Sequence, residues 1–277
     1  MIVVITGIFG LTELENYTLP MDDDQTPNGG KPQQINLNNV AQQFMSGLQR
    51  HFDLLAFNLA AQDTVQEEMY NKRVNASHIM PSPTHHQNFE QLQAFGRDFL
   101  VRQIINDSLN LTLAAMNNAH FFLSLIKVTD ANKKVDVEAQ KKAQASQQNF
   151  IRAKLDEKFN FLEKEYGIMC ELEDSIISLG FILQILVKHN KIVHREQLDN
   201  RGKLVLELKS VETPKDEDST IPQQPKKLID VRKVYREGDV ISFDDVELQL
   251  ILVTIATFAD SLFKSVAEYA RSVQKDA

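Results

Sequence analysis

The sequence predicts a mainly α protein, an up-and-down helical bundle with a small β-hairpin inserted before the C-terminal helix. Three observations carry this. Apolar residues recur at three- and four-residue spacing along four long stretches. Ten glycines in 277 residues are too few for an all-β chain built on tight turns. Between about 203 and 235 the apolar period drops to two, then returns to the helical value.

Taken in order, Met1–Leu11 is apolar but lacks the basic flank and small-residue cleavage site of a secretory signal. It is too short to span a bilayer, and no later stretch reaches eighteen uninterrupted apolar residues. Its Val-Ile-Thr-Gly-Ile-Phe-Gly run has neither the third glycine nor the following helix of a dinucleotide loop. A first strand, or an apolar segment docking on the core or a partner, is expected. Pro20, Asp22 to Asp24, Pro27, Gly29, Gly30 and Pro32 then mark a linker. Residues 1–36 are thus read as apolar segment plus linker, and 37–277 as the helical domain.

Val40, Phe44, Leu48, Phe52, Leu55 and Leu59 form the stripe of a first long helix, expected to run from Leu37 to about Tyr70. After a break holding Pro81 and Pro83, Phe89 to Phe121 carry a second, ending near Lys127, with a kink or division allowed for its length. Residues 130–150 are polar and suit a solvated helix or a loose arm equally. Phe150, Leu155, Phe159 and Leu162 restore an apolar face that Gly167 terminates.

Glu173 and Asp174 open a third long helix at its positive end. Its Ile176 to Leu186 segment is apolar almost all round, which predicts a central position in the bundle. Leu204, Leu206 and Leu208 alternate with polar neighbours, and Leu228 to Tyr235 returns, giving a hairpin over 203–235 with a long polar connection at 212–225. Ser242 is expected to cap a terminal helix spanning 243–272.

Thirty basic against thirty-eight acidic residues give a net charge of −8, which argues against a strongly basic nucleic-acid scaffold but leaves room for a local basic patch. One cysteine, Cys170, excludes an internal disulfide framework and fits a reducing, cytoplasmic setting. Its acidic neighbours point to an apolar filler and not a nucleophile. His78, His85 and His86 surround a proline-rich loop without carboxylate or thiol ligands at metal spacing. His120 reads as a helix-surface residue. The triple aspartate lacks the glycine and distal glutamate of a calcium loop.

Chemistry concentrates where the third helix ends, in Lys188-His189-Asn190-Lys191-Ile192-Val193-His194-Arg195. The simplest role is capping: Lys188, His189 and Lys191 complement the negative helix end, and Asn190 satisfies the last carbonyls. Asn190 and His194 share a face only if the helix continues through them. Together with Gly202 to Glu207 and Gly238 to Val246 leading into an amphipathic helix, the segment resembles the HEPN superfamily of higher-eukaryote and prokaryote nucleotide-binding domains. The resemblance covers roughly 90–270 in architecture, and 188–208 with 238–260 as motif. It implies a homodimeric bundle whose two polar motifs meet across a cleft.

Such a domain is expected to bind RNA or nucleotide, with metal-independent RNA cleavage in its active members. Others are catalytically inert interaction modules of antitoxin or scaffold type, so a protein partner from a toxin–antitoxin or defence system is the alternative. No cofactor, metal or membrane is expected. His194 matches the family histidine and Asn190 the polar residue after the motif arginine, whereas His189 stands where that arginine belongs. An imidazole can move the proton of a 2′-hydroxyl or of the leaving oxygen. The fixed, bidentate charge of a guanidinium is missing at 189. The candidate catalytic residues are accordingly His194, His189 and Asn190, with Lys188, Lys191 and Arg195 as phosphate-binding cations.

Overall fold

The computed structural model describes residues 36–74, 88–128, 137–211 and 227–275. The apolar N-terminus, the loop bearing His78, His85 and His86, and the 212–225 connection lie outside them. Helix α1 (Leu37–Thr64) begins at Asn36, whose side chain accepts the Asn38 and Asn39 N–H groups at 2.9 and 3.4 Å. It ends earlier than the apolar stripe suggests. Thr64 Oγ1 turns back onto the Ala60 and Ala61 carbonyls and Val65 is extended. A short helix α2 (Glu67–Val74) restarts with two glutamates in its first turn.

Helix α3 (Phe89–Val128) runs unbroken for 40 residues, about 60 Å. Neither Gly96 nor the four asparagines spread along it divide the helix. The polar stretch after it forms α4 (Val137–Arg152), which buries Ala143 and Phe150 against the bundle and is therefore a docked helix. Helix α5 (Leu155–Tyr166) stops where expected. Gly167 adopts φ 67° and donates its N–H to the Glu163 carbonyl at 2.8 Å, a left-handed cap that a Cβ would strain.

Helix α6 (Glu173–Lys188) is not the fully enclosed helix its composition predicts. Ile176, Leu179, Ile182, Ile185 and Leu186 are buried, but Phe181 and Val187 face outward, Val187 at 59% exposure. Among the described residues its main neighbours are α3 and β1, and Phe181 and Val187 lie on the side that neither covers. Strands β1 (Leu204–Val211) and β2 (Leu228–Tyr235) pair antiparallel from Leu204 opposite Tyr235 to Val211 opposite Leu228. Leu204, Leu206 and Leu208 point inward, as the alternation requires.

The core belongs to α7 (Asp245–Lys275). Leu248, Ile251, Leu252, Ile255, Phe258, Leu262, Phe263 and Val266 are each 0–1% exposed and meet α1, α3 and β1. By length and hydropathy this helix is apolar enough to cross a membrane, but two-thirds of its most apolar window is packed inside the fold. Its cap is Asp244, not Ser242. Asp244 Oδ1 accepts the Glu247 N–H at 2.7 Å, and Glu247 returns the bond to the Asp244 N–H at 2.9 Å. Lys209 of β1 donates its N–H to Thr254 Oγ1 at 2.8 Å, which pins the hairpin edge to this helix.

His120 is the clearest correction. It is wholly buried, not on a helix surface. Its ring lies flat on Phe150 of α4 at 4.1 Å between centroids. Nearby, Lys158 of α5 is 3% exposed and points its amine at the end of α4, donating to the Phe150 and Ile151 carbonyls and to Asn117 Oδ1. A buried cation thus serves two carbonyls of the last turn of α4, sharing the Phe150 oxygen with the Ala153 N–H at 3.2 Å. Sequence periodicity around His120 gave no hint of this, because α4 was not read as a packed helix.

Candidate functional site

Helix α6 ends at Lys188 because the backbone reverses hand. Asn190 and Lys191 adopt φ of 49° and 69°, and the His189 and Lys191 N–H groups both donate to the Ile185 carbonyl, at 3.0 and 3.2 Å. Asn190 and His194 therefore do not share a helix face. The chain continues as an extended segment that bridges the turn before α7, with Ile192 opposite Val240. Three backbone bonds hold it there: Val193 N–H to Asp239 O at 3.0 Å, Gly238 N–H to Val193 O at 2.9 Å, and Ile241 N–H to Lys191 O at 2.8 Å. Gly238 takes φ 86°, which the tight return requires.

After the bridge a single 3-10 turn (Arg195–Gln197) follows. Buried Gln197 accepts the His194 N–H at 2.7 Å and fixes that turn. His189, His194, Arg195 and Glu196 then line an open hollow with Glu237 from the facing turn. The two imidazole rings stand 5.0 Å apart, edge to face. His189 Nε2 lies 3.5 Å from Glu196 Oε1 and 3.4 Å from Gln197 Nε2, so the ring is oriented from one side.

Three of the six candidate residues, His189, His194 and Arg195, are thus brought together. The other three are not. Lys191 is ion-paired with Asp98 of α3, Lys188 is exposed on the last turn of α6, and Asn190 is exposed at the reversal. Two carboxylates that sequence reasoning did not single out, Glu196 and Glu237, complete the hollow. Glu237 comes from the turn between β2 and α7, and nothing local in the sequence shows which segment that turn faces.

Asn190 has a conformational role, because asparagine tolerates the left-handed region better than other non-glycine residues. We expect Asn190→Gly to unfold in urea at or slightly above the wild-type midpoint. Asn190→Val should lose about 1–2 kcal/mol from backbone strain. Equal midpoints for both variants would contradict this.

Among the described residues, no three His, Cys, Asp or Glu side chains group closely enough to hold a metal ion. Cys170 is pushed up to about 12, first by burial and then by Glu173, which keeps it a thiol at neutral pH. In comparison with known proteins, the chain matches no family model, no curated protein and no solved structure.

Proposed function

We propose that this chain is a HEPN-like helical domain that binds RNA or nucleotide, taking a phosphate group in the hollow at the end of α6. The observation that carries the reading is the pair of imidazoles, His189 and His194, 5.0 Å apart and facing an open space with Arg195 beside them. Paired histidines suit phosphodiester chemistry. One takes the proton of the attacking 2′-hydroxyl, the other gives a proton to the departing 5′-oxygen, and a guanidinium neutralises the crowded phosphate between these steps. Arg195 can supply the charge that His189 does not. In this reading the domain works as a cytoplasmic homodimer, and cutting RNA without a metal is the reaction its side chains allow.

The test is retention of a labelled structured RNA in EDTA by wild type and by His189→Ala, His194→Ala and Arg195→Ala. A loss of about tenfold or more in affinity on Arg195→Ala is expected for one phosphate contact removed, with a shallower salt dependence. Binding unchanged in all three variants overturns the reading. Cleavage that survives His194→Ala does not arise from this site.

One observation favours a second reading, a catalytically inert interaction module of antitoxin or scaffold type. Glu196 and Glu237 set two negative charges in the hollow, and Lys191 is committed to Asp98, so little net positive charge faces a phosphate. A stoichiometric toxin or defence-system protein retained by the purified chain, with no nucleic acid, is the result that reading requires.

A further inference from the structure

We propose that His120 is an acid-sensitive latch: neutral, it holds α4 on the bundle, and protonated, it releases that helix and uncovers the strip of α3 beneath it. The geometry places one imidazole at the centre of the α3–α4–α5 junction. Its face covers Phe150 of α4 with the ring planes 5° apart. Its Nδ1 lies 2.6 Å from Gln147 Oε1, also of α4. Gln147 Nε2 donates to the Asn117 carbonyl at 2.8 Å, which turns the amide oxygen toward the ring and makes Nδ1 the donor. Phe161 and Tyr166 of α5 close the pocket edge-on at 5.1 and 5.9 Å.

In the neutral tautomer Nε2 carries a lone pair, near the Ser124 and Ser146 hydroxyls at 3.4 and 3.5 Å. Ser124 already donates to the His120 carbonyl and pairs with the Tyr166 hydroxyl. A second proton on the ring therefore introduces a charge that only neutral groups touch. The ring meets Ser124 from α3, Gln147 and Ser146 from α4, and Tyr166 from α5, while the Lys158 amine of α5 acts on it through space as a second cation. Tyr269 of α7 stands edge-on to Tyr166, and Lys127 of the Lys127–Glu165 ion pair lies over the ring of that same tyrosine.

Burial, with Lys158 adding to it, draws the imidazole below its ordinary value of 6.5 against the opposing hydrogen bond to Gln147. The sign follows. A group held below its free value binds fewer protons docked than released, so docking is at full strength above pH 6.5 and weakens as the pH falls below it. The Lys158 amine, bonded to the Phe150 and Ile151 carbonyls, is the other polar tie on α4. Among the described residues of α4, Ala143 and Phe150 are its buried apolar side chains. Once α4 leaves, Phe121, Leu125 and Val128 of α3 lose their cover.

Hydrogen exchange of the full chain at pH 7.5 and 5.0, corrected for intrinsic rates, tests this. Protection of the α4 amides should fall by about tenfold for each pH unit of displacement of the imidazole, with α7 unchanged. In His120→Gln, which keeps a neutral polar side chain, α4 protection should no longer depend on pH. An equal loss in wild type and variant, or none in wild type, overturns the latch. Should the variant not fold, the imidazole proton resonances of wild type decide. A titration midpoint below 6.5 that moves the α4 resonances with it supports the proposal, and one at or above 6.5, or one that leaves them in place, overturns it.

Discussion

Replacing Phe258 with alanine should cost about 3–5 kcal/mol. The ring is 0% exposed at the middle of α7, the helix on which α1, α3 and β1 all converge. It also stands edge-on to Phe159 of α5, at 5.8 Å and 89°, a contact that contributes beyond the buried area. The measurement is the urea midpoint at unchanged slope. Val246, one end of the same helix and 62% exposed, serves as the control. Val246→Ala should stay within about 0.5 kcal/mol, and comparable losses at both positions would show that α7 is not the organising helix.

The second large effect is expected at Lys158. Lys158→Ala removes the amine that reaches the Ile151 carbonyl at 3.2 Å and Asn117 Oδ1 at 3.1 Å, and that also holds the Phe150 carbonyl. It further deletes a side chain whose amine sits 4.3 Å from the centre of the Phe150 ring. The Ile151 carbonyl and Asn117 Oδ1 lose this donor, while the Phe150 carbonyl keeps the Ala153 N–H at 3.2 Å, and the change should cost about 2–4 kcal/mol. Lys158→Met retains the packed stem but not the donors, so it should recover part of that loss and no more. The damage should be local. Exchange protection should fall in α4 and the start of α5 while the α1–α3–α7 core keeps its own. A global loss with no local excess would assign Lys158 a different role.

How far the fold could be read from the sequence depended on the range of the forces involved. The Gly167 stop, the β-hairpin alternation at Leu204, Leu206 and Leu208, and the α7 stripe were legible because each is written within a few residues. The early end of α1 was not, since it turns on Thr64 folding back onto its own helix against an apolar pattern that continues. Helix α4 was illegible for the opposite reason. Its docking rests on Phe150 and on two side chains from other helices, His120 and Lys158, whose burial no local pattern announces. The candidate site divided in the same way. The residue types around His189 and His194 stood out, but the reversal at Asn190 and Lys191 decided which of them share a space. Lys191 was drawn to Asp98, and Glu237 arrived from a distant turn.

The bridge between Val193 and the Gly238 turn also has a topological consequence. The chain that leaves at His194 returns at Glu237, and the Gly238 N–H donates to the Val193 carbonyl at 2.9 Å, so the intervening hairpin is a loop with a closed neck. Both sides of that neck supply the hollow, His194, Arg195 and Glu196 on the outgoing strand and Glu237 on the incoming one. Any force that twists the hairpin against α7 is therefore levered onto the spacing between those side chains. The hairpin is in this sense a handle on the site, tied to α7 at Thr254.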